Sequence, residues 1–393
     1  MTAEWTWLVY MAGDNNLEGA GRVDLGEMQK VGSTADVNVL VQFDTEAQKT
    51  MRYRVEKGRV TTLQTMRGVD CGDPKVLTDF IQWGAAKYPA KRYALVVWNH
   101  GGGWEDADVD YAANRSLKPL RMSRKMRAKR TLFRTTRELL NGRAADARLI
   151  AVDCGAQDYL DNQELRRAVE LGGVKLDIFG CDACLMNMIE IGYEMKETSL
   201  FMVGSEETEP GAGWPYTDIL GPLNQRPTMP TDELAKLIVS RYGAWYAANG
   251  NPGSDGVATQ SAMDLGKIDA LATAVDSLAK QLIEQGEAGA PQIALARQRT
   301  LQFEIPDYID LGDFAKQLQR VFPAAHPVAG AAADVLQSLA GTVVGNAKWG
   351  ASVDAAQGVT IFFPGRKSHL LPDYQKLHFG EANAWTSFLT SYL

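Results

Sequence analysis

The sequence predicts an α/β fold built on a mostly parallel central sheet. Two apolar runs, Tyr93 to Trp98 and Leu176 to Gly180, are too short for helices and read as buried parallel strands. Each follows directly on a helix signal, as strands joined by right-handed crossovers do. Each also stops at a reactive side chain beside small residues: His100 before Gly101, and Cys184 after Ala183. In open α/β sheets such strand ends border the crevice where sites form.

The first half alternates strand and helix signals. Trp5 to Met11 and Val37 to Phe43 read as buried strands. Arg52 to Val55 and Val60 to Gln64, around a turn at Lys57-Gly58, read as an antiparallel hairpin. Asp73-Pro74 is a helix start, an N-cap followed by proline at the first helical position. Val76, Leu77, Phe80 and Ile81 form its apolar stripe, and Pro89 stops it. Asp161 with Glu164 three residues on is a capping box. The helix it opens carries Leu165, Ala168 and Val169 and ends at Gly172-Gly173.

Asn249 to Gly256 is a loop rich in Gly, Asn and Pro, and the texture changes after it. Leu265, Ile268, Leu271, Val275, Leu278 and Leu282 form a long amphipathic stripe. Beyond it the chain reads as mostly helical, with one strand at Val359 to Phe363. The expected division is a domain over 1–250, carrying a basic insert at about 105–150, and a helical subdomain over 251–393.

The chain has 393 residues, 45% apolar and 23% charged, an ordinary globular composition. No run approaches the length of a transmembrane helix. Met1 to Trp7 has no basic region followed by an apolar one, so no signal peptide is visible. Either the protein stays inside the cell or its export signal lies outside this sequence. The four cysteines, Cys71, Cys154, Cys181 and Cys184, are too few for a disulfide framework. The four histidines are His100, His326, His369 and His378, which limits the choice of a general base.

A cysteine nucleophile needs a lowered pKa or a neighbouring base. Cys184 and His100 are the candidates, delivered by two strand ends. Three glycines after His100 leave room for a substrate backbone. The competing readings are a buried small hydrophobe for Cys184 and a structural role for His100. Cys181 to Cys184 is formally a C-x-x-C, but no second Cys or His pair stands at zinc-site spacing. Nor does it open a helix in a thioredoxin-like pattern. A Cys181–Cys184 bridge that inhibits the protein on oxidation stays open.

Five segments extend the argument. They are Leu8-Val9-Tyr10-Met11-Ala12-Gly13-Asp14-Asn15-Asn16-Leu17-Glu18, Trp98-Asn99-His100-Gly101-Gly102-Gly103-Trp104, Asp182-Ala183-Cys184-Leu185-Met186, Gly204-Ser205-Glu206-Glu207 with Gly213-Trp214, and Gly358-Val359-Thr360-Ile361-Phe362-Phe363-Pro364. Together they resemble the clostripain-like peptidases of the caspase, legumain and gingipain clan. The resemblance implies a caspase-like α/β/α sandwich and a self-processing cysteine endopeptidase cutting after Arg, with less support for Lys. It implies a dyad of Cys184 and His100, with the amides of Gly101 and Cys184 as oxyanion hole. It places Asp182 in the pocket for the basic P1 side chain, with Ser205, Glu206 and Glu207 as further lining. A strand-end carboxylate satisfied by backbone amides is the alternative for Asp182.

Between Asn114 and Arg148 lie twelve Lys or Arg and two acidic residues, against 29 and 46 in the rest of the chain. Nucleic-acid binding is the generic meaning of such a run, but it lacks interleaved aromatics. The resemblance implies instead a cleavable insert that covers the cleft, the nearest candidate bonds following Arg115 and Lys118. The expected partners are therefore peptides with a basic P1 residue and the chain's own insert, with no nucleic acid. No cofactor is expected. Calcium, which some relatives need, stays open, since Asp106, Asp108 and Asp110 lack EF-hand spacing. Asp14, Asn15 and Asn16 either shape the cleft or cap the following helix. A catalytically inactive binding module of the same fold is the remaining alternative.

Overall fold

The computed structural model describes residues 2–47, 49–104, 150–250, 256–370 and 372–393. The basic run, its candidate cleavage bonds and Asp106, Asp108 and Asp110 lie outside these residues, as does most of the 249–256 loop.

Thirteen strands are described: β1 (Ala3–Met11), β2 (Val37–Phe43), β3 (Lys49–Glu56), β4 (Arg59–Arg67), β5 (Ala90–Trp98), β6 (Ile150–Asp153), β7 (Asp158–Leu160), β8 (Leu176–Asp182), β9 (Ser199–Gly204), β10 (Ala258–Asp264), β11 (Tyr308–Asp310), β12 (Val343–Trp349) and β13 (Thr360–Phe362). Nine of them form one sheet in the order β12-β10-β9-β8-β5-β1-β2-β3-β4. The central five pair in parallel. Antiparallel pairs extend the sheet at both edges, so only β3 and β10 run against the other seven. This is the mostly parallel sheet that the buried apolar runs predict.

The sheet has helices on both faces. Along β1, Leu8 lies against Gly84 of α2 (Pro74–Lys87), whereas Met11 lies against Gly21 of α1 (Glu18–Val31). Positions three apart in a strand point to opposite faces, so α1 and α2 cover opposite sides. α3 (Asn162–Leu171) and α4 (Ile189–Met195) continue the α2 layer. α5 (Tyr216–Gln225) and α6 (Thr231–Asn249) continue the α1 layer. α7 (Ile268–Arg299) carries the long apolar stripe and changes direction at Gly286, whose φ is 53°. Helices α8 (Leu311–Val321), α9 (Pro327–Thr342) and α11 (Trp385–Tyr392) pack around α7, and short α10 (His378–Ala382) lies on α4. The result is an α/β/α sandwich with a helical C-terminal region.

The cap signals act as their chemistry requires. Asp73 accepts from Lys75 N–H at the start of α2. Asp161 and Glu164 form the full reciprocal box at α3. In contrast, β10 and β12 give no strand signal, yet both join the central sheet from beyond residue 251. Thr259, Gln260 and Ser261 of β10 are polar and buried, so apolar periodicity cannot reveal that strand.

Candidate active site

β1 and β5 are neighbours, but their onward connections lead to opposite sides: β1 to β2, and β5 to β8. Their carboxyl ends thus flank a point where the strand order reverses, the usual location of an α/β crevice. Trp98 on β5 pairs in register with Asp182 on β8. His100 and Cys184 each lie two residues further on, so adjacent strands bring imidazole and thiol to one edge. Adjacent strands lie about 4.8 Å apart, within which a thiol and an imidazole can meet.

The two backbones are in contact. A Cβ added to Gly101 would sit 2.3 Å from the carbonyl oxygen of Cys184 and 3.0 Å from its nitrogen. Only glycine allows this approach. Leu185, directly after Cys184, has φ of 61°, a left-handed conformation that costs a branched residue about 1–3 kcal/mol. The strain turns the chain sharply away and leaves Cys184 at the corner. Its Sγ accepts from Glu209 N–H at 3.2 Å.

His100 is held from three directions. Its N–H donates to Asn99 Oδ1 at 2.6 Å. The Asn99 amide bridges Ala12 O on one side and the backbone of Val152 on the other. The ring nitrogen Nε2 lies 2.9 Å from Asn16 Oδ1, which can only accept. In this pair Nε2 is the donor of the bond to Asn16 Oδ1. Asn15 braces the same loop, donating to Ala12 O and Val152 O. Asn16 thus reaches His100, and α1 has no side-chain cap. Further support comes from the C-terminal region. Tyr308 Oη donates to Gly102 O at 2.8 Å, and its ring lies against Gly103. Trp104 packs edge-on to Phe362 and Tyr374.

Asp182 is fully buried beneath the cysteine. It accepts from Trp214 N–H at 3.2 Å and from Tyr216 Oη at 2.8 Å, and it faces the Glu209 carboxyl. Burial and the nearby Asp24 push Asp182 up to about 6. Burial and Asp182 push Glu209 well above the usual carboxylate range. Asp24 is fixed by Trp98 Nε1–H at 2.9 Å. Asp182 and Glu209 therefore face each other in one buried volume, with Asp24 near enough to act on both. Glu209 and Asp24 carry no motif signal. They stand 27 and 158 positions from Asp182, and only the fold collects them.

Ser205, Glu206 and Glu207 follow β9 beside the cysteine turn, where Glu207 O accepts from Leu185 N–H and Ser205 O from Asn187 N–H. Ser205 Oγ bonds to Glu207 O and to Thr259. Glu206 accepts from Gly358 N–H at 2.9 Å and faces Asp310, tying β9 to the C-terminal region. Glu207 accepts from Thr208 and Glu304 amides. Cys181 is buried within β8, and all four cysteines are free thiols. Among the described residues, no helix is long and apolar enough to cross a membrane.

The model of the clostripain family matches residues 9–117 and 139–392. Clostripain of Hathewaya histolytica is 23% identical over 356 residues, spanning 78% of this chain and 61% of that protein's length. A secreted C11 cysteine protease of Bacteroides thetaiotaomicron, solved with an irreversible peptide inhibitor, superposes with a TM-score of 0.68. It is 19% identical, with 98% and 99% of the two chains covered. An inactive zymogen C11 protease of Parabacteroides distasonis gives a TM-score of 0.69 at 19% identity, with coverages of 97% and 98%. These likenesses show that the fold is shared.

Proposed function

This chain belongs to the clostripain family, and we propose that it is a self-processing cysteine endopeptidase that cleaves after Arg or Lys. The observation that carries the reading is the contact between the Gly101 and Cys184 backbones at the ends of paired strands. It supports a shared site for the Cys184 thiol, the His100 imidazole and two backbone amides.

His100 Nδ1 takes the Cys184 proton, and the thiolate attacks the scissile carbonyl carbon. The amides of Gly101 and Cys184 receive the oxyanion. The C–N bond then breaks, the leaving amine takes the proton from His100, and an acyl-enzyme remains on Sγ. Water, deprotonated by the same imidazole, releases the acid and restores the thiol. Asn16 holds the ring in the tautomer that this sequence of transfers requires.

Asp182 with Glu209 supplies the P1 recognition. Two buried carboxyl groups match the forked donors of a guanidinium better than a point-charge ammonium. Binding such a side chain stabilises their ionised forms and offsets the burial that raises them. His100, Cys184, Asp182 and Glu209 have no exposed surface. A substrate therefore needs a rearrangement first, as in a precursor opened by cutting its own chain. The basic run between His100 and Cys184 is the substrate we assign to that step.

Labelling tests the site. A peptidyl chloromethyl ketone ending in Arg should modify Cys184 alone, as read by peptide mass mapping. Modification of Cys181, or none after processing in reductant, would contradict the assignment and favour a non-catalytic binding module.

A further inference from the structure

We propose that Asp44, Cys71 and Asp153 form a site for a sulfur-accepting divalent cation of the zinc class. Their ligand atoms lie within 4.8 Å of one another. Small side-chain rotations bring such a set to zinc bonding distances of about 2.0–2.3 Å. The three come from separate segments. Asp44 follows β2 and donates its N–H to Met11 O, Cys71 precedes α2, and Asp153 ends β6. Each is buried.

A second observation points to a ligand. Asp44 Oδ1 accepts from Thr50 Oγ1 at 2.8 Å, but its buried Oδ2 has no hydrogen-bond partner. A buried carboxylate oxygen without a donor is costly, and a cation supplies the missing partner. Asp153 is oriented by the amides of Cys71, Gly155 and Ala156, the kind of outer support that metal ligands receive. Burial, Asp153 and Asp14 push Asp44 up to about 8, and burial pushes the Cys71 thiol up. A bound cation reverses both. A cavity of about 180 Å³ lined by Asp14, Asp70 and Asp153 opens beside the Asp153 ligand. The thiol selects zinc over calcium or magnesium, which prefer oxygen alone.

Asp44 and Cys71 precede the basic run, and Asp153 follows it. The cation would therefore hold together the two fragments that processing creates. It would also brace β6, which fixes Asn15 and Asn99 beside His100.

The test uses the full chain carrying Cys184→Ala, which removes the reactive thiol and makes the result independent of peptidase activity. After chelator treatment, Co²⁺ is titrated as a chromophoric stand-in for zinc. One equivalent should bind with a near-ultraviolet sulfur-to-cobalt band, displaced by Zn²⁺ and not by Ca²⁺. Adding Cys71→Ser should abolish the band, and adding Asp44→Asn should weaken binding at least about tenfold, both with unchanged circular dichroism. No binding, a band that survives Cys71→Ser, or displacement by Ca²⁺ as readily as by Zn²⁺ would overturn the proposal.

Discussion

Asn16 Oδ1 lies 2.9 Å from His100 Nε2, joining residues 84 positions apart inside the buried catalytic edge. The bond sets the imidazole tautomer. Asn16→Ala should lower kcat about tenfold, the value of one hydrogen bond of about 1.4 kcal/mol, with a smaller change in KM. Asn16→Asp should restore part of the rate and raise the imidazole pKa, seen as a shifted acidic limb of the kcat–pH profile. An unchanged kcat for Asn16→Ala would remove it from the mechanism.

Gly101 touches Cys184 through the backbone. Gly101→Ala places a methyl 2.3 Å from the Cys184 carbonyl, so the two strand ends must separate. Peptidase activity should fall at least about a hundredfold, the scale of losing an oxyanion donor, with a lowered Tm. Wild-type activity in this variant would refute the oxyanion assignment.

Asp182→Asn removes one charge of the P1 pair. It should cost about 2–5 kcal/mol for Arg substrates, roughly two orders of magnitude or more in kcat/KM. The loss for a neutral P1 residue should be small. Equal losses for both would make Asp182 a structural residue.

The same pair predicts a pH dependence. Asp182 is pushed up to about 6, so kcat/KM for Arg peptides should rise as pH increases through this range and Asp182 ionises. A substrate with a neutral P1 should lack that limb.

Glu190 offers a stability test away from the site. It is buried, accepts from Phe362 N–H and Tyr374 Oη, and is pushed up to about 7 by burial. A carboxyl raised in the folded state favours folding while protonated, and loses that advantage as pH rises from the unfolded value toward 7. The loss is roughly 3 kcal/mol for a shift of this size. Glu190→Gln should therefore raise Tm at pH 8 and leave it nearly unchanged at pH 4. Equal effects at both pH values would contradict the assigned ionisation.

What the sequence could reveal follows from how local each signal is. β5, β8 and the Asp161–Glu164 box were legible because each is written in fewer than ten consecutive residues. Cys184 and His100 stand out as candidates in the sequence because the segments that resemble the family frame them. Asn16 lies in one of the family-like segments, but its contact with His100 comes from long-range packing; Glu209 and Asp24 are likewise collected only by the fold, and nothing beside them in the chain marks it. β10 and β12 were hidden for another reason: β10 buries the polar Thr259, Gln260 and Ser261, and β12 is only half-buried, with Gly345, Asn346 and Lys348 interrupting its apolar residues. Glu206 sits in a motif, but its carboxyl turns to Gly358 and secures the C-terminal region.

The most direct measurement compares the parent chain with Cys184→Ala on an Arg-terminated fluorogenic peptide, each followed by denaturing gel. The account predicts that the parent hydrolyses the peptide and splits between His100 and Cys184, while the variant stays whole and inert. If both chains stay intact and inactive in reductant, with calcium and zinc supplied, the peptidase account fails.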